Sequence, residues 1–101
     1  MATRKKQKRI TKAWAAEPQG PKQYKVAVQP MGDWCVLVDP VFCWYKVTHL
    51  PTGMLGYSSS DLDRAEKVLG AWSRFPRFTL ATWTKSLAKQ LQRARDEALR
   101  S

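Results

Sequence analysis

A single histidine, two cysteines and eight carboxylates leave little material for a catalytic or metal centre in this chain of 101 residues. One imidazole and two thiols cannot supply the four ligands and paired spacing of a structural zinc site. There is no glycine-rich phosphate loop and no Ser/His/Asp order to assign. His49 stands beside a predicted hairpin turn and reads as a hydrogen-bonded or solvent-facing structural residue. Asp61 and Asp63 suit the positive end of a starting helix better than an acid/base pair. Long apolar runs are missing as well. Nothing approaches the roughly 18 apolar residues that mark a membrane span. The basic start is not followed by the apolar core of a secretory signal. The expectation is a non-enzymatic chain with no cofactor, no metal and no membrane, cytoplasmic, with its thiols reduced.

What the sequence has in excess is positive charge, +10 overall, and the placement of that charge says more than its sum. Residues 1–25 carry eight Lys/Arg against Glu17 alone, while residues 26–60 carry Lys46 against Asp33 and Asp39. The last segment, 79–101, carries five Lys/Arg against Asp96 and Glu97. A neutral middle with basic ends points to a polyanionic partner, nucleic acid above all, contacted through phosphates by tail and helix.

The stretch Trp34–Tyr57 (WCVLVDPVFCWYKVTHLPTGMLGY) organises the rest. It reads as three short strands joined by two tight turns. Before it, Tyr24, Val26 and Val28 alternate with polar or small residues, which is the pattern of a half-buried strand. Asp39-Pro40-Val41-Phe42 supplies a four-residue turn with proline where a type I turn favours it. That turn sets Val38 opposite Cys43, Val36 opposite Tyr45 and Trp34 opposite Val47. Pro51-Thr52-Gly53 supplies the second turn, with Gly53 in the left-handed position, His49 facing Leu55 and Val47 facing Tyr57. One face then holds Trp34, Val36, Val38, Cys43, Tyr45, Val47 and Tyr57, beside Val26 and Val28. The other holds Cys35, Leu37, Trp44, Lys46 and Thr48. Cys35 and Cys43 fall on opposite faces and are expected to stay free thiols.

Ser60 with Asp63 resembles a capping box and opens a first helix. Its stripe of Leu62, Ala65, Leu69 and Trp72 covers the core face until Pro76 stops it. A second helix carries the stripe Leu80, Trp83, Leu87, Leu91, Ala94 and Ala98, with Lys85, Lys89 and Arg93 elsewhere on its surface. It is too long for the sheet to cover fully, so part of it projects, pairs with another chain or meets a ligand. The fold class is therefore α+β: a three- to four-stranded antiparallel β-meander, about 22–29, 33–38, 43–50 and 54–58, followed by helices at about 61–74 and 79–100. Residues 1–21 form a flexible basic arm and linker, closed by Pro18, Gly20 and Pro21.

Within the arm, Ile10 and Trp14 are four apart and share a face if the segment is helical. A basic run leading into such a helix resembles the arginine-rich RNA-binding peptides of phage antitermination proteins, with lysine replacing most of the arginine. Three strands and a helix also look like the AP2-type and integrase arm-binding DNA modules, whose sheet enters the major groove. Only Trp34, Trp44 and Lys46 match that pattern, and the base-reading arginines are missing.

The expected function is a small nucleic-acid-binding accessory or regulatory protein, for DNA or RNA, of the character seen in phages and mobile elements. The expected contacts are Arg4, Lys5, Lys6, Lys8, Arg9, Lys12 and Trp14 in the arm, Lys46 on the sheet, and Lys85, Lys89 and Arg93 on the last helix. The alternative is a protein-binding inhibitor or adaptor that engages a host nucleic-acid enzyme through the last helix and an aromatic surface. A homodimer through that helix belongs to the same group of expectations. Whether the second helix covers Trp44 and Lys46, or leaves them to solvent, decides how much of the sheet is available.

Overall fold

The computed structural model describes residues 9–75 and 77–100. It is α+β, as expected, with five strands where three or four were read. β1 (Lys12–Ala15), β2 (Lys22–Met31), β3 (Trp34–Val38), β4 (Tyr45–His49) and β5 (Met54–Ser59) form one antiparallel sheet in chain order. They are followed by α1 (Leu62–Trp72), a single 3₁₀ turn (Leu80–Thr82) and α2 (Lys85–Arg100).

The additional strand comes out of the segment read as arm. In β1, Ala13 and Ala15 turn inward while Lys12 and Trp14 turn out. An alternation of small and large residues overrides the helical spacing of Ile10 and Trp14, because the two alanine methyls fit over Tyr24 and Leu37. Gln29 extends the ladder with its side chain, donating to the Ile10 carbonyl at 2.8 Å and accepting the Ile10 amide at 3.1 Å. At the other end, the Ala16 N–H donates to the Gly53 carbonyl at 2.7 Å. The first strand thus reaches the β4–β5 turn, and the sheet curls. Residues Pro18–Pro21, read as a linker, are the β1–β2 connection, closed by the Gly20 N–H on the Glu17 carbonyl at 2.9 Å.

The β3–β4 register lies two residues from the expected one: Val38 opposes Tyr45, Val36 opposes Val47, and Trp34 opposes His49. Asp39 explains the shift. Its carboxylate accepts the Val41 and Phe42 amides at 2.9 and 3.4 Å, and its N–H donates to the Trp44 carbonyl at 2.9 Å. Asp39 therefore starts the turn rather than belonging to it, and Cys43 becomes a turn residue with φ +55° instead of a core residue. A shift of two leaves every residue of β3 and β4 on its expected face. In the second hairpin Val47 opposes Tyr57 as expected, and Gly53 is left-handed at φ +72°. His49 opposes Met54 rather than Leu55, because β5 carries an extra residue at Gly56. A β-carbon there would stand 2.4 Å from the Trp72 ring, so only glycine admits the indole.

The helices cover the face of Trp34, Val36 and Val47. From α1 come Ala65, Val68, Leu69 and Trp72, and from α2 comes Leu91. The cap is Asp61 rather than Ser60: its carboxylate accepts the Asp63 amide at 2.9 Å, while Ser59 still belongs to β5. α1 ends at Trp72, ahead of Pro76. Thr84 opens α2 by accepting the Leu87 amide on its hydroxyl at 3.1 Å. At 16 residues, α2 is about 24 Å long, and its stripe of Leu87, Leu91 and Ala94 faces the core. Trp72 fastens it, donating from Nε1 to the Leu91 carbonyl at 2.9 Å.

The far face is not covered by α2. Ala13, Ala15, Tyr24, Cys35 and Leu37 form a second buried cluster, closed by the curl of the sheet and its first strand. Val26 belongs to this cluster rather than to the helix side, because a bulge between Val26 and Val28 reverses the alternation of β2.

Candidate nucleic-acid interface

Opposed residues of an antiparallel pair share a side of the sheet. Lys12 opposes Lys25, Trp14 opposes Gln23, and Lys25 in turn opposes Val38. This surface is the continuation of the helix face past the part the helices cover. Lys12, Trp14, Gln23 and Lys25 are all exposed, and Trp14 keeps 58% of its surface. Arg9, also exposed, leads into it. Directly opposed like charges oppose strand pairing. Among the described residues neither lysine makes an ion pair to offset that. The nearest acid in sequence, Glu17, accepts a hydrogen bond from the Tyr24 hydroxyl instead.

The other expected contacts are dispersed. Arg4, Lys5, Lys6 and Lys8 lie outside the described residues, just before Arg9 in the chain. Lys85, Lys89 and Arg93 are exposed at intervals of four on α2 and form a separate basic row. Lys46 is half-buried, with its ammonium 5.3 Å from the centre of the Tyr24 ring, and Lys22 sits over the same ring at 5.2 Å. Both lysines, after the Val41 amide as the leading cause, help hold Asp39 below its ordinary carboxylate pKa. Lys46 is thus engaged inside the protein. Its neighbour Trp44 is 43% exposed, not covered by α2. Lys25 and Gln23 were not among the expected contacts. The signal for them was their alternation with Tyr24, which marks the outward side of β2.

Tyr24 is the hinge between this surface and the far cluster. Its hydrogen bond to Glu17, with burial second, raises its pKa to about 12, so it remains a neutral donor. Cys35 lies beneath it, and burial pushes its thiol up to about 12 as well. Cys43 is exposed, and both cysteines are free.

A fully buried polar group on the helix face is His49. Its ring stacks on Phe78 at 3.9 Å between centroids, and Nδ1 meets the Thr52 hydroxyl at 2.8 Å. Nε2 has no hydrogen-bond partner and lies 3.9 Å from the Asp33 carboxylate, which also faces Arg77 at 3.6 Å. Burial lowers its pKa against the opposing pull of Asp33. The ring is packed among Trp34 and Phe78, and the Thr52 hydroxyl beside it also accepts the Met54 amide at 3.1 Å. Among the described residues no group of three or more His, Cys, Asp or Glu side chains is placed to hold a metal ion, and no helix is long and apolar enough to cross a membrane.

No protein-family model, curated protein or solved structure matches the chain.

Proposed function

We propose that the chain is a small, non-enzymatic nucleic-acid-binding protein, accessory or regulatory to a larger nucleic-acid process. The observation that carries this reading is the β1–β2 surface, where Lys12 and Lys25 oppose each other beside an exposed Trp14 with no ion pair among the described residues. Such a pairing costs the folded chain something and returns it when a phosphate lies between the ammoniums. The basic run Arg4–Arg9 precedes the surface in the chain, and Lys85, Lys89 and Arg93 add a second row.

The test is binding of labelled DNA and RNA across a salt series, with the full chain beside Lys12→Gln/Lys25→Gln. Loss of two phosphate contacts lowers the slope of log affinity against log salt by about 1.8 for a duplex and about 1.4 for a single strand. No binding at low salt overturns the reading. An unchanged slope removes this surface from it.

A second reading, a protein-binding inhibitor or adaptor, rests on the β3–β4 turn. There Val41 and Phe42 keep 74% and 71% of their surface, next to the half-exposed Trp44. Large apolar side chains grouped at a hairpin tip favour a protein partner. Leu91, on the apolar side of α2, is buried against the core, so a homodimer through that helix has less to recommend it. Capture of one protein from nuclease-treated lysate, lost in Phe42→Ser/Trp44→Ser, supports the adaptor reading.

A further inference from the structure

Beside Trp14 lies a cavity of about 270 Å³ whose other walls include Pro21, Leu50, Pro51, Thr52 and Gly53. It is shallow and its walls are mostly apolar. Several of its polar groups are already committed. The Gly53 carbonyl accepts the Ala16 N–H at 2.7 Å, and the Gly53 N–H donates to the His49 carbonyl at 2.7 Å. The Leu50 N–H donates to the Asp33 carbonyl at 2.8 Å. The Thr52 hydroxyl meets His49 Nδ1 and accepts the Met54 amide at 3.1 Å. Pro21 and Pro51 have no N–H to offer. A ligand here finds an indole and mostly apolar walls, so it is held chiefly by its flat surface.

The charge beside the cavity identifies the ligand. Lys12 is two residues from Trp14 on the same side of the strand, about 7 Å along it. Lys25 is the diagonal neighbour across the pair, within reach of a long side chain. A planar apolar group joined to flanking anions fits this arrangement. A base inside a duplex does not, since its faces are already stacked. Neither β1 nor the outward side of β2 carries the arginine that pairs with a guanine edge.

We propose that this cavity is a stacking platform for one unpaired base of a single-stranded nucleic acid. Trp14 takes the base, and the opposed pair Lys12 and Lys25, both to the same side of the indole along the strands, holds the adjoining phosphates. The platform is tolerant of sequence, because every base has a face to stack. The proposal rests on the nucleic-acid reading above and narrows it to single strands.

The test uses the full chain, with a labelled oligothymidine, an oligoadenine of equal length, and a mixed-sequence duplex. Trp14→Ala is expected to weaken both single strands by roughly 5- to 150-fold, leaving duplex affinity and the salt slope unchanged. Trp14→Phe restores most of the loss. A 2-aminopurine placed within the single strand is expected to lose emission on binding the natural chain and to keep it with Trp14→Ala. Trp14 is exposed, and an unaltered circular dichroism spectrum confirms that the variant is folded. If Trp14→Ala weakens duplex and single strand alike, or neither, the platform is wrong while nucleic-acid binding stands. If no nucleic acid binds the natural chain at low salt, both readings fall.

Discussion

On one side of the sheet, Trp34, Val36 and Val47 are covered by α1 and by Leu91 of α2. On the other, Cys35 and Leu37 are covered by Ala13 and Ala15, a four-residue strand and its curl. The helix side is sealed by large rings: Trp34 and Trp72 meet at 4.7 Å between centroids, and Trp72 also spends its one donor on α2. The far side is sealed by methyl groups and by backbone bonds that reach it from Ile10, Thr11 and Ala16. The comparison teaches that the basic segment does structural work: the residues that carry the exposed charge on one side close a core on the other.

The comparison breaks most visibly at Trp72. Trp72→Ala removes a buried ring and the bond to α2, and is expected to cost about 3–5 kcal/mol in urea unfolding. A loss under about 1 kcal/mol means that the helix layer is not what holds that side. Next is the first strand. A chain beginning at residue 17 uncovers Leu37, and that side chain alone accounts for about 2 kcal/mol. The same truncation exposes Cys35. An aromatic disulfide reagent is expected to titrate one thiol, Cys43, in the folded natural chain and two in the shortened one. Equal counts show that β1 does not close the far cluster.

A smaller change comes from Tyr24→Phe, which leaves Glu17 without its donor at the boundary between core and surface. The expected cost is about 1 kcal/mol, with Lys22 and Lys46 still able to sit over the ring. The smallest effect is that of pH on His49. Its folded pKa lies below the ordinary 6.5, so below that pH the unfolded chain takes up the proton first. This contribution to stability is fully present above pH 6.5 and declines as the pH falls through the folded value. Denaturation midpoints between pH 7.5 and 5.5 measure it, and in His49→Gln the decline in that window is expected to flatten.

Much of the helix side was legible. Period-two alternation and two turn signals assign Trp34, Val36, Val47 and Tyr57 to one face, and that assignment survives a register error of two because strand faces repeat every two residues. The bulge that moves Val26 across the sheet was not legible, because no residue type marks it. β1 was not legible either. Lys-Ala-Trp-Ala is short, its inward residues are alanines, and alanine argues for helix when no partner is in view. The partner is Gln29, a polar side chain standing in for backbone, which no alternation rule anticipates. The surface of Lys12, Trp14 and Lys25 follows from that strand. Lys12 and Trp14 were read from composition, whereas the place of Lys25 beside them appears only once the two strands are paired.

The clamp on Ile10 also sets a leash. An extended chain advances at most about 3.6 Å per residue, so Arg4, six positions earlier, can stand no farther than about 22 Å from that anchor. Whatever charge the run Arg4–Lys8 brings stays within that radius of Ile10. Under the proposed nucleic-acid reading, a strand caught by either part is presented to the other at high local concentration, and two weak attachments act as one.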